Sequence, residues 1–291
     1  MKTILALTAA GMVLVAATAT TGYAAPKTNR VSVSYVVPKN PAHQPIYERM
    51  KERRALERLK EFLSPFRLPS TLKVKLAGCD GEADAFYEDD EITICYEYIN
   101  ELWTNMPAET TADGMAPMDA IMGPLYDTSL HEFGHALFDM LDVPQFGREE
   151  DAADQVSAYI ILQLGKTEAR RLIMGTAYAY MAEARRAAPP SLKEFAGEHG
   201  TPAQRAFNLL CMAYGADPKL FGDFVTKGYL PKKRADVCED EYQQVAYAFE
   251  TLIGRHIDRT LAKRILDRSW LPEITAREKL RPGSPTRNKA Q

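Results

Sequence analysis

The sequence predicts an α+β fold that is mostly helical, with a small antiparallel sheet or hairpin and a helical C-terminal part. Apolar residues recur at helical spacing over most of residues 46–256, whereas period-two alternation is confined to residues 71–96. The 291 residues are 46% apolar, enough for one substantial domain or two small ones. A net charge of −3 is too balanced to favour a nucleic-acid partner.

The N-terminus has the pattern of a secretory signal peptide. Lys2 precedes an apolar run from Ile4 to Ala17, and small residues lead to Ala24. We therefore expect residues 1–24 to be removed. The run is shorter than the roughly 20 residues of a membrane span. This predicts an exported, periplasmic or secreted protein with no membrane span after cleavage.

The remaining chain is predicted to contain one main domain. Residues 25–45 are polar and rich in proline, which favours a linker or an extended lead-in. The domain then covers residues 46–280, with a sheet and a central helix in residues 46–142 and a helical part in residues 143–280. Residues 281–291 are polar and are expected to be disordered.

Four cysteines in an exported chain indicate disulfides. Cys79 and Cys95 bracket the predicted hairpin, and Cys211 and Cys238 lie in the helical C-terminal part. Pairing by proximity gives Cys79–Cys95 and Cys211–Cys238, one of three possible connectivities. A cysteine zinc site is the weaker interpretation, because the sequence contains no CxxC spacing.

The predicted central helix contains an HExxH motif. It begins at Gly123-Pro124, ends near Asp142, and carries His131 and His135 one turn apart on one face. Two imidazoles so placed can hold one zinc ion, while Glu132 between them is suited to act as general base. Five-residue matches arise by chance, but the central position in an amphipathic helix favours a functional site.

Catalytic zinc needs a third protein ligand. A second helix is predicted from about Arg148 to Leu164, and its first turns place Glu150 and Asp154 on one face. Glu150 is the expected third ligand and Asp154 the expected acceptor for a histidine ring N–H. Glu149 is the alternative ligand. Without a metal, these acids would simply complement the helix dipole.

Two further features suggest how a substrate could be handled. Asp84-Ala85-Phe86-Tyr87 could form a sheet edge to which an extended substrate adds as a strand, or it could be only a structural hairpin.

Zinc peptidases often stabilise the oxyanion with a side chain from a later segment. His256 is the candidate, although a lone histidine is more often a surface or packing residue. The competing tyrosines are Tyr87, Tyr96 and Tyr98, whereas His43 and His199 receive no role.

These motifs carry a resemblance to known enzymes. Asp84-Ala85, the HExxH of residues 131–135 and the ExxxD of residues 150–154 occur in the order found in gluzincin metallopeptidases, and resemble the catalytic core of neprilysin-like enzymes. The resemblance implies a zincin-like fold, zinc at His131, His135 and Glu150, general base Glu132 and supporting Asp154. Asp84 replaces the usual asparagine and so loses an amide donor. Most of the mature chain also resembles a family of exported bacterial proteins considered metallopeptidases.

The sequence therefore predicts a secreted zinc-dependent metallopeptidase that hydrolyses peptide or protein substrates with zinc-activated water and Glu132 as base. Two alternatives remain open. The first is a non-catalytic, zincin-like exported binding module with a structural metal site. The second is a helical interaction protein without metal.

Overall fold

The computed structural model describes residues 30–187, 190 and 192–271. The predicted signal peptide and the predicted tail lie outside these residues. The α+β, mostly helical class is confirmed. The strands are β1 (Val31–Tyr35), β2 (Leu72–Ala77), β3 (Ala85–Glu88) and β4 (Glu91–Cys95). The α-helices are α1 (Gln44–Glu52), α2 (Ala55–Phe62), α3 (Tyr96–Asn105), α4 (Asp119–Met140), α5 (Glu149–Leu162), α6 (Lys166–Arg186), α7 (Pro202–Ala216), α8 (Asp223–Thr226), α9 (Lys232–Ala235), α10 (Cys238–Leu252) and α11 (Arg259–Leu266).

The four strands form one mixed sheet in the order β1-β2-β4-β3. The predicted antiparallel hairpin is β3–β4, and it turns at Asp89 and Asp90 with φ of 50° and 61°. Asp tolerates this left-handed backbone in a tight turn. The β1–β2 and β2–β4 pairings are parallel, which differs from the antiparallel sheet expected from the sequence. Helices α1 and α2 supply the crossover that parallel strands require between β1 and β2.

Part of the segment expected to be a lead-in is a strand. Val31–Tyr35 pairs with β2, starting at Val31 opposite Leu72. The hydroxyl of Tyr35 accepts the backbone N–H of Leu56 at 2.9 Å and donates to Glu57 Oε2 at 2.7 Å. This bond fixes the start of α2, and Arg54 before it has a left-handed φ of 51°. The helical segment of residues 44–62 is therefore divided into α1 and α2.

The central helix α4 begins at Asp119, one turn before the predicted start at Gly123-Pro124. Tertiary contacts explain the extra turn. Asp119 is buried and forms an ion pair with Arg171 at 2.7 Å, and its carbonyl packs against Gly175 of α6. A β-carbon on Gly175 would lie 1.9 Å from that oxygen, so α4 and α6 can approach this closely only at a glycine. Packing against α6 thus outweighs the proline inside the helix.

Two disulfides fix the periphery of the core. Cys79–Cys95 joins the segment after β2 to the end of β4, and Cys211–Cys238 joins α7 to α10. These are the pairs that proximity in the sequence predicts. Disulfides are typical of exported proteins. Within the described residues, every helix is too short or too polar to cross a membrane.

Candidate metal centre

Three ligand atoms converge where α4 meets α5. The Nε2 atoms of His131 and His135 are 3.1 Å apart, and Glu150 Oε2 lies 2.9 Å from the first and 3.3 Å from the second. The histidines lie one turn apart on α4, and Glu150 comes from the first turn of α5. His131 is 3% exposed, so the group sits at the base of a cleft rather than on open surface.

This donor set fits a zinc ion. Ligands at about 2.0–2.1 Å around a tetrahedral ion are about 3.3 Å from one another. The three observed separations are close to that value, and all three ligand atoms lie within 4.8 Å of one another. Two nitrogens and one carboxylate oxygen are the ligands of known catalytic zinc sites. The residues therefore fit a zinc ion held by His131, His135 and Glu150.

The second nitrogen of each imidazole has its own carboxylate partner. Asp154 Oδ1 lies 2.8 Å from His131 Nδ1, and Glu149 Oε1 lies 2.7 Å from His135 Nδ1. In the neutral form of each imidazole, a proton on Nδ1 leaves the Nε2 lone pair free for a metal. Glu149, the alternative third ligand in the sequence analysis, thus contacts the far side of His135, whereas Glu150 faces both Nε2 atoms.

Neighbouring side chains shift the pKa values of His131 and Glu150 in opposite directions. Burial lowers the pKa of His131, but hydrogen bonds to Asp154 and Glu150 outweigh it and raise the pKa to about 10. Burial opposes ionisation of Glu150, yet contacts with His131, His135 and His199 hold its pKa well below the usual range. Negative charge is therefore concentrated on Glu150, on the side of the imidazoles where a cation would bind.

Arg205 of α7 holds Asp154 in place. Its Nε and Nη2 donate to the two carboxylate oxygens of Asp154 at 2.9 and 2.6 Å, a bidentate pairing. Burial raises the pKa of Asp154, but the bonds to His131 and Arg205 lower it to about 2. Asp154 therefore stays ionised beside His131. Arg205 was not among the site residues predicted from the sequence.

Glu132 is buried beside the histidines and lines the same cleft. Burial raises its pKa to about 7, while the neighbouring His131 and His135 act in the opposite direction. A carboxylate whose pKa is near neutral pH can both accept and return a proton. Its position and environment suit the general base expected from the HExxH motif.

The cleft has a volume of about 1050 Å³ and extends along the outer strand β3. Asp84, Ala85 and Phe86 line it together with His131 and Glu132. β3 pairs with β4 on one side only, so among the described strands its other edge is unpaired. Phe86 is 40% exposed. The structure thus brings the predicted edge segment to the histidine pair.

His256, the candidate residue for stabilising the oxyanion, is not among the residues that line this cleft. Its Nε2 accepts a hydrogen bond from Arg255 Nε, and its carbonyl accepts from the Arg67 N–H. The neighbouring Ile257 bridges to Phe66. His256 lies in a short 3₁₀ helix that packs the C-terminal segment against the N-terminal part, so packing explains it without catalysis.

His199 is a late histidine that lies beside the candidate metal ligands. Its Nε2 lies 2.7 Å from Glu150 Oε2, and its ring stacks on His131 at 5.6 Å between centroids. The side chain is 49% exposed and lines the cleft. The sequence pattern Thr201 to Gln204, a capping box, marks the start of α7. It places His199 just before a helix, but it does not indicate a contact with Glu150.

The competing tyrosines are all engaged elsewhere. Tyr96 is fully buried, and its hydroxyl donates to the carbonyl of Val36. Tyr87 and Tyr98 line the cleft, but Tyr87 donates to Asp139 at 2.6 Å and the Tyr98 hydroxyl lies 2.7 Å from Thr128 Oγ1. Burial raises the pKa of both phenols well above 10. His199, in contrast, lines the cleft and contacts Glu150 directly.

The helix pair, the convergent histidines and the adjacent edge strand therefore line one cleft. Residues 35–253 match the family DUF4344, described as “Putative metallopeptidase”. The match covers more than half of the chain, and the chain belongs to this family. Neither a curated protein nor a solved structure matches it.

Proposed function

We propose that this chain is an exported zinc peptidase that hydrolyses peptide bonds in peptide or protein substrates. The observation that carries the proposal is the convergence of His131, His135 and Glu150, with Glu132 beside them in a cleft bordered by an unpaired strand edge. A structural zinc site is normally closed by four protein ligands, whereas a catalytic site keeps one position open. Three converging ligands with an open cleft favour the catalytic arrangement.

The substrate would bind along β3. An extended peptide can add to the unpaired edge of β3 through main-chain hydrogen bonds, which orient the scissile carbonyl beside the histidines. Asp84 at the start of this edge offers only acceptors, and its Oδ1 already accepts the Ala85 N–H at 2.9 Å. Asp84 therefore favours a substrate group that donates a hydrogen bond over a carbonyl.

The chain's own residues would carry the proton and the developing charge. Zinc, when bound, supplies a Lewis acid that polarises the carbonyl and acidifies water. A Glu132 carboxylate oxygen takes the proton from the attacking water and returns it to the leaving nitrogen. The Nε2–H of His199 donates to the oxyanion that develops on the substrate carbonyl. Arg205 and Asp154 hold the imidazole of His131 in the tautomer that frees Nε2.

Export is part of the proposal. The N-terminal pattern of a signal peptide and the two disulfides support a periplasmic or secreted location. An oxidising compartment would also keep thiols from competing for the metal. Zinc is proposed over other divalent ions because two imidazoles and one carboxylate are its usual catalytic ligands.

The test is a comparison of the purified protein with Glu132→Gln on a broad peptide library. Glu132→Gln should keep its zinc and lose about 10²- to 10⁴-fold in turnover, as expected when a general base is removed. Glu239→Gln, the same change at an exposed position of α10, serves as the control. Retention of most activity by Glu132→Gln would contradict this mechanism.

Two other experimental outcomes would each favour one of the two alternative functions. Zinc binding without cleavage of any peptide would favour a binding module with a structural metal site. Wild-type protein that contains no metal when purified without a metal-affinity tag would favour a metal-free interaction protein.

A further inference from the structure

A buried carboxylate lies one turn before the histidine pair and has no role in the proposed chemistry. Asp127 of α4 is 3% exposed. Its Oδ1 accepts the Ser157 hydroxyl at 2.7 Å, and its Oδ2 accepts the Tyr180 hydroxyl at 2.9 Å. Burying a carboxylate is costly, so a site with two well-placed donors indicates a structural or functional requirement.

The Tyr180 bond leads back to the metal centre. The guanidinium of Arg205 lies over the Tyr180 ring, 4.6 Å from its centroid. Arg205 in turn donates hydrogen bonds to Asp154, and Asp154 Oδ1 lies 2.8 Å from His131 Nδ1. The contacts therefore run from Asp127 through Tyr180, Arg205 and Asp154 to His131, which lies four residues after Asp127 on the same helix.

This circuit, Asp127–Tyr180–Arg205–Asp154–His131, connects the four helices around the site. α4 supplies its two ends, and α6, α7 and α5 supply one side chain each. Ser157, three residues after Asp154 on α5, also bonds Asp127 and so closes a second link between α4 and α5. Each contact restricts the conformation of the next side chain. A substitution at Asp127 can therefore alter the orientation of the His131 imidazole.

The geometry points to Asp127 and Tyr180 as positioning residues for the metal centre: the Tyr180 ring, oriented by Asp127, holds Arg205 on Asp154 and thereby keeps the His131 imidazole aimed at the metal. The inference rests on the proposed zinc site. It goes beyond that proposal by assigning a role to two residues that are neither metal ligands nor the general base.

The alternative is a purely structural bond that holds α4 to α6. A structural bond would change the stability of the fold but not the affinity for zinc at a temperature where the protein is folded. Zinc affinity, measured by competition with a chromophoric chelator, separates the two. It also does not depend on peptidase activity.

The experiment uses Tyr180→Phe, which removes the hydroxyl and keeps the ring. We expect its zinc affinity to fall about tenfold, the lower end of the range for groups that support metal ligands. Asp127→Asn, of the same size, should have an effect in the same direction. Tyr159→Phe is the control, because Tyr159 on α5 also donates to a carboxylate, Glu250, but lies outside the circuit.

A double-mutant cycle tests whether the effect passes through Arg205. In an Arg205→Lys background the bidentate grip on Asp154 is already lost, so adding Tyr180→Phe should change zinc affinity by less than about twofold. Equal zinc affinity for Tyr180→Phe and wild type would overturn the inference, and so would full additivity with Arg205→Lys. If wild-type protein binds zinc tightly, either result leaves the proposed function standing. A wild type that binds no zinc contradicts the proposed function instead.

Discussion

Gly134 of α4 lies directly against Ala153 of α5. A β-carbon on Gly134 would be 3.2 Å from Ala153 Cα and 3.3 Å from Ala153 Cβ. Gly134 is the residue before His135, and Ala153 is the residue before Asp154. The close approach of the two helices at this point places Glu150 and Asp154 within reach of the histidines.

A larger residue at position 134 should therefore separate the helices. We expect Gly134→Val to weaken zinc affinity by at least about tenfold, since the third ligand and the Asp154 contact both depend on this spacing. The melting temperature of the metal-free protein should also fall because of overpacking. Gly165→Val is the matched control, because a β-carbon there would meet no atom within 4 Å. Equal zinc affinity in both variants would contradict this explanation of the helix contact.

A variant of His199 distinguishes a catalytic zinc site from a structural zinc site that is closed by four protein ligands. If its Nε2–H donates to the substrate oxyanion, His199→Ala, which removes the donor, should reduce kcat about 10²-fold, while KM and zinc affinity change little. If His199 were instead a fourth protein ligand, the same variant would lose zinc. Steady-state kinetics and chelator competition on one preparation distinguish these results. Loss of zinc would argue for the non-catalytic binding module.

Glu97 should contribute to stability in a pH-dependent manner. Burial raises the pKa of Glu97, but its own backbone N–H and those of Cys79 and Gly81 outweigh burial and hold the pKa below its ordinary 4.5. The stabilisation is therefore fully present above about pH 4.5 and is lost as the pH falls through the lower folded-state pKa.

Glu97→Gln should lower the free energy of unfolding by about 1–2 kcal/mol near neutral pH, because the acceptor loses its charge. The difference from wild type should shrink as the pH falls below about 4.5. Urea unfolding across this pH range provides the measurement. Glu101→Gln, on an exposed face of the same helix, is the control. A difference that stays constant with pH would contradict the assignment.

The local part of the site was predictable from the sequence because it depends on helix periodicity. The i, i+4 spacing places His131 beside His135, and Glu150 beside Asp154, in any helix that contains them. Period-two alternation likewise located β2 and β4. These features need no knowledge of how distant segments meet.

The rest of the site depends on tertiary packing. His199 lies in a segment without periodicity, and Arg205 reaches Asp154 only because α7 packs against α5 and α6. The parallel pairing of β1 with β2 depends on a crossover that spacing does not reveal. His256 was chosen by residue type and chain position alone, and both are compatible with the packing role that the structure shows.

The most direct test of the metal centre is zinc stoichiometry in wild type, Glu150→Ala and Glu149→Ala, each purified without a metal-affinity tag. Wild type should bind about one zinc per chain. Glu150→Ala should lose that zinc to a chelator which wild type resists, while Glu149→Ala, which removes only the partner of His135 Nδ1, should weaken binding by about 10- to 100-fold at most. Zinc held by Glu150→Ala as tightly as by wild type would contradict the site.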